Sequence, residues 1–195
     1  MLEWIHSIQI SMLVSFSHAY FRQWKQLEDN PVTKLLFRQC GFIPVSMVDN
    51  GNGNKNEYDM SSFRTLLKET KKAFAEGFDI GILPEGQLNP NPESGLLPLF
   101  SGAYTLARMS KRPINIMALH GIGKLWHPVN GLECTSRKIK VRAYPHGRHY
   151  SSNDEFVETF SNVVGHFGQT GEDIDDLQEW LDGSKWQEKV KESTL

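Results

Sequence analysis

The chain has 195 residues, 39% hydrophobic and 23% charged, with a formal net charge of −2. That length suits one globular domain, or one with a tail, and permits a sizeable core. The near-neutral balance gives no reason to expect nucleic acid, and two distant cysteines, Cys40 and Cys134, form neither a disulfide framework nor a metal motif.

The charge is unevenly spread. From Gly171 onward there are eight acids and three lysines, which leaves residues 1–170 mildly basic. A basic body with an acidic end suits an anionic substrate or membrane surface, though only weakly. The expected division is a domain over 1–170 and a loosely attached acidic tail over 171–195, helical around Leu177 to Trp180.

Trp4 to Phe21 carries no Lys, Arg, Asp or Glu. Ile5, Ile8, Met12 and Phe16 stand at helical spacing, so a helix over 4–21 is expected. Its four serines, one glutamine and two histidines argue against a membrane span and for a packed or interfacial amphipathic helix. Pro31 starts a second short helix, Val32 to Arg38, and Gly41 stops it. Phe42 to Val48 is an apolar, β-branched strand, and Pro44 within it points to a sheet edge or a local distortion.

Asp49 to Asn56 is a polar Gly/Asn loop. Asp59 is a good N-cap for a helix whose buried stripe is Phe63, Leu66, Leu67, Thr70 and Phe74, with Gly77 at the position after its C-cap. Asp79 to Leu83 reads as a strand buried on both faces. A loop over 84–97 leads to Ser101, which caps a helix from Gly102 to Met109. Pro113 to Leu119 is another strand. Residues 120–136 carry no clear pattern. Lys138 to Tyr144 alternates strictly, which predicts a strand with one wet face. Pro145 to His149 reads as a turn, and Glu155 to Phe167 as a helix. Strands alternating with helices imply an α/β architecture.

The chemistry concentrates where the apolar run Ile80 to Leu83 ends at Pro84-Glu85-Gly86-Gln87. A carboxylate there stands at the exit of a strand, inside a Gly/Pro loop. Open α/β sheets bind ligands at the carboxyl ends of their strands. Downstream come Pro98 and Gly102, then Arg112-Pro113-Ile114 at the next strand. Upstream is Cys40-Gly41-Phe42-Ile43-Pro44-Val45.

This order of blocks over about residues 30–150 resembles the glycerolipid acyltransferase family, the enzymes that acylate lysophosphatidic acid and related acceptors. The resemblance implies a mixed sheet flanked by helices, after a short N-terminal helical segment. It implies a transferase of phospholipid biosynthesis. A fatty acyl group would pass from a thioester, acyl-CoA or acyl carrier protein, to a lysophospholipid or glycerolipid hydroxyl. The implied partners are a membrane lipid acceptor and the acyl thioester. The implied location is a membrane surface on its cytosolic or stromal side. No metal or redox cofactor is implied. Pro84, Glu85, Gly86 and Gln87 would bind the acceptor.

The family's catalytic block, His-x4-Asp, is not found in its place. Five residues after His6 is Ser11, and five after His18 is Gln23. His149 and Asp154 have the spacing but stand after the Pro-Glu-Gly loop, in the wrong order. The expected catalytic His and Asp are therefore read as lying before the start of an N-terminally truncated chain, and this chain alone is expected to be inactive. The alternative is a catalytically inactive homologue that binds lipid or a partner. Cations are missing too. Ser46 and Met47 stand where the family's second block ends in Arg, Gln87 and Leu88 replace the Thr-Arg that follows Pro-Glu-Gly, and Phe100 replaces a Lys. That disfavours a small phosphorylated acceptor.

His146 and His149 make half a metal site at most, and without a Cys or carboxylate beside them an exposed turn is the better expectation.

Overall fold

The computed structural model describes residues 10–15, 31, 43–45, 47–48, 57–58, 60–86, 89–122, 126–127, 131–132 and 138–193. The fold mixes helices and strands, as an α/β chain requires, in two compact units, Met1–Gln87 and Leu88–Leu195. The short helix expected at 32–38, the Asn-rich loop, the cap Asp59 and both cysteines lie outside the described residues.

The first unit holds a three-stranded parallel sheet in the order β2-β1-β5, built from β1 Ile10–Ser15, β2 Ile43–Val45 and β5 Asp79–Ile82. The helix expected over 4–21 is corrected here, because Ile10–Ser15 is the central strand. A short apolar run fits either period, and partners on both sides settle it. Leu13 pairs with Ile43 on one side and Ile82 on the other. β2 lies at the edge, where Pro44 is tolerated. A small antiparallel pair, β3 Met47–Val48 and β4 Glu57–Tyr58, follows.

Helix α1, Met60–Ala75, packs on β2 and β5. Leu66, Thr70 and Ala73 form its buried stripe. It ends as expected at Gly77: the Gly77 N–H donates to the Phe74 carbonyl and the Phe78 N–H to the Ala73 carbonyl, satisfying two terminal acceptors. β5 departs from the expectation of burial on both faces. Ile80, Gly81 and Ile82 are half-buried and Leu83 is 46% exposed, because β5 pairs only with β1 among the described residues.

In the second unit, α2 Gly102–Ser110 leads to β6 Ile114–His120. Ser101 occupies the N-cap of α2 without a side-chain hydrogen bond. A two-residue pair, β7 Trp126–His127 with β8 Gly131–Leu132, precedes β9 Lys140–Arg148, which pairs antiparallel with β6. Then come α3 Asn153–Phe160, a π-helical turn at Ser161–Gly165 and α4 His166–Thr170. Phe156, Thr159, Phe160, Val163, Val164 and Phe167 repeat at helical spacing and make the core with Ile116, Ala118 and Tyr144.

Two features of β9 differ from the alternation reading. Pro145–Arg148 belongs to the strand rather than to a turn. Ile114 pairs with Arg148 and Ile116 with Tyr144, so β9 carries a bulge where a proline costs no ladder bond. Both faces are exposed along Lys138 to Ala143, with Val141 at 61%, whereas Tyr144 is buried. The polar face is claimed by the segment after α4. Lys140 Nζ donates to the Gly171 carbonyl at 2.8 Å, Arg142 pairs with Asp173 at 2.8 Å, and the Tyr144 hydroxyl donates to Asp173 at 2.8 Å.

The acidic segment is accordingly no loose appendage. It folds as α5 Leu177–Asp182 and α6 Ser184–Ser193. Trp180 and Leu181 are buried, and Lys189 of α6 pairs with Glu158 of α3. No helix among the described residues is long and apolar enough to cross a membrane.

Candidate functional site

β5 delivers its last residues to a tight turn. The Gly86 N–H donates to the Leu83 carbonyl at 3.0 Å, with Pro84 and Glu85 between them. Proline's fixed φ suits the first of these positions. Gly86 has φ +64°, the left-handed region where a Cβ is costly, and it is buried. The turn therefore needs the glycine that the motif supplies.

The sheet register shows where this turn stands. β1, β2 and β5 are parallel, so their carboxyl ends share one edge. Ile82 lies level with Leu13, so Pro84, two residues on, comes level with the ends of β1 at Ser15 and β2 at Val45. Glu85 is half-buried there and is not without a partner. A backbone turn and a half-buried carboxylate at such an edge can orient a hydroxyl-bearing ligand.

Of the residues expected to form the site, Pro84, Glu85 and Gly86 share this turn, whereas Gln87, with Leu88, lies outside the described residues. Pro98, Phe100 and Gly102 belong to the second unit, as do Arg112, Pro113 and Ile114. Pro98 lies in an extended segment and Gly102 opens α2. Beside Pro98 is a groove of about 560 Å³, formed by Leu96, Leu97 and Leu99 against Val157, Asn162 and His166. Nothing in the sequence marks this groove. The π-helical turn that shapes one wall has no residue signature of its own.

His149 and Asp154 are both exposed, and neither makes a hydrogen bond or ion pair among the described residues. They show none of the contact that a histidine–carboxylate pair needs. No group of three or more His, Cys, Asp or Glu residues is arranged to hold a metal among the described residues.

Tyr144 and Tyr150 are perturbed groups of the second unit, as are Asp182, held low by its bond to Ser184, and Lys185, held high by Asp176. Burial pushes both phenols above the ordinary tyrosine range. For Tyr144 the bond to Asp173 adds to the rise, and for Tyr150 the nearby Arg148 opposes it. Both belong to the packing of β9 rather than to the turn at Glu85.

Comparisons with protein-family models, with curated proteins and with solved structures find no match.

Proposed function

We propose that the chain belongs to a glycerolipid acyltransferase fold, a mixed sheet flanked by helices, whose activity is to acylate a lysophospholipid or related hydroxyl at a membrane surface. The observation that carries this reading is the Leu83-Pro84-Glu85-Gly86 turn at the shared carboxyl edge of β1, β2 and β5. The block order from Gly41 to Ile114 supports it. In the reaction a base takes the acceptor's hydroxyl proton. The oxygen attacks the thioester carbon, the C–S bond breaks, and the departing thiolate recovers the proton. Glu85 orients the acceptor, and Gly86 supplies the left-handed backbone that holds the turn.

The base itself divides two readings. With a strand at Ile10–Ser15, the chain leaves β1 at the same edge as Glu85, and His18 follows three residues later in sequence. His18 lies outside the described residues. In the first reading His18 is the base, with Gln23 where the family has Asp. In the second, the chain binds lipid without turning it over. The unpaired state of His149 and Asp154 favours one of these two over a base at His149.

The test is acyl transfer from acyl-CoA to lysophospholipids by the chain and by its His18→Ala and Glu85→Ala variants. A general base contributes about 10²–10⁴-fold, so a loss of that size at His18 supports the first reading. Lysophospholipid binding that Glu85→Ala weakens, with no turnover, supports the second. Turnover indifferent to both substitutions, or neither turnover nor lipid binding, would overturn the proposal.

A further inference from the structure

We propose that the outward face of α1 docks the chain on an anionic lipid surface. Arg64, Lys68, Lys71 and Lys72 are all exposed on this helix. At about 100° per residue they fall within an arc of about 100°, opposite the buried Leu66, Thr70 and Ala73. Glu69 and Glu76 stand beside that arc rather than within it. The stripe runs about 12 Å along the axis from Arg64 to Lys72, a length that several lipid headgroups can meet at once.

The ion pairing is sparse. Lys72 approaches Glu76 at 3.9 Å, both exposed, a contact of little strength. Arg64, Lys68 and Lys71 have no hydrogen-bond or ionic partner among the described residues. A merely solvated helix face gains from opposite charges four apart. Here Arg64 with Lys68, and Lys68 with Lys72, put like charges at that spacing, which weakens the helix slightly. The arrangement therefore costs the fold and serves an external anion.

The anion we assign is a bilayer. The chain as a whole carries −2, so a polyanion that wraps it meets repulsion, whereas a plane touches one face alone. This choice of lipid rests on the proposed function. The test uses neither acyl donor nor acceptor, so failure of docking and failure of catalysis are distinguishable.

The experiment is co-sedimentation of the full chain with phosphatidylcholine vesicles, with and without phosphatidylglycerol. Each cation near a charged surface adds about fivefold to partitioning, so Arg64→Gln/Lys68→Gln/Lys71→Gln should bind anionic vesicles about 100-fold more weakly. A control that removes Arg108, Lys138 and Lys191, exposed cations of the second unit, should bind within a few-fold of the parent. Without any substitution, anionic vesicles should protect Lys68 and Lys71 from acetylation more than Lys138. Equal binding to neutral vesicles, equal losses in both variants, or unprotected Lys68 and Lys71 would overturn the proposal. So would stripe-dependent binding to a duplex nucleic acid without binding to vesicles.

Discussion

Arg148 ends β9, Glu155 lies in the first turn of α3, and the two meet as an ion pair with side-chain exposures of only 17% and 4%. The Glu155 carboxylate also accepts from the Ser151 N–H at 2.6 Å and the Ser151 hydroxyl at 2.5 Å, while Ser152 caps its own N–H at 3.1 Å. Arg148 in turn donates to the Trp180 carbonyl at 3.1 Å. One pair thus joins a strand, a helix start and the acidic segment.

Breaking a buried pair strands the remaining charge. Glu155→Ala should therefore lower unfolding stability by about 3–5 kcal/mol. Urea denaturation gives this directly. A loss under about 1 kcal/mol would mean that the pair is as weak as a surface one.

Gly183 tests the same joint from the other side. Its φ is +88°, and a Cβ built there would collide with the Arg148 guanidinium. Gly183→Ala thus strains the backbone and displaces the arginine. It should cost more than about 1 kcal/mol. Part of that cost acts through Arg148, so it should shrink by about 0.5 kcal/mol or more when Glu155 is already Gln. Strict additivity in the double-mutant cycle would show that the clash spares the ion pair.

Asp173 gives a pH signature. The Tyr144 phenol donates to it, and burial together with this bond lifts the phenol above its ordinary range. A raised pKa favours the neutral form in the folded chain. The stabilisation is complete below the unfolded value near 10 and is lost as pH rises through the higher folded value. The parent should therefore lose more stability than Tyr144→Phe as pH climbs past 10. A tyrosinate absorbance titration should show late steps from Tyr144 and Tyr150, and Tyr144→Phe should remove one of them. If Tyr144→Phe removes an ordinary step near 10, the hydrogen bond to Asp173 is not present in solution.

These joints also show which parts of the fold can be read from the chain. Gly77 is legible because a helix end leaves carbonyls that a left-handed residue satisfies locally. Pro44 is legible in part: a missing N–H is a local fact tolerated at an edge or a distortion, and the strand order among the described residues decides for the edge. Ile10–Ser15 is not, since a six-residue apolar run fits either period and pairing with β2 and β5 decides. The partners of β9 are hidden for a different reason. Lys140, Arg142 and Tyr144 bond to Gly171 and Asp173, some 30 residues away, and alternation alone carries no information about that segment. The turn at Glu85 was written in its residue types; the groove beside Pro98 depends on a π-helical turn that no residue type announces.

The headgroup preference of the proposed acceptor site follows from the residue types in its sequence blocks. Leu88 and Phe100 occupy positions where the acyltransferase pattern carries Arg and Lys, and Gln87 can hydrogen-bond a phosphate but cannot neutralise it. A charge-assisted bond to a desolvated phosphate contributes about 1.5–3 kcal/mol, roughly tenfold to a hundredfold in affinity. The chain should therefore bind lysophosphatidylcholine at least as well as lysophosphatidic acid. Restoring one cation by Leu88→Arg should shift the preference toward lysophosphatidic acid by about tenfold or more. Equilibrium binding to both lysolipids measures this without requiring turnover. A strong preference of the parent for lysophosphatidic acid would show that some other cation serves the phosphate.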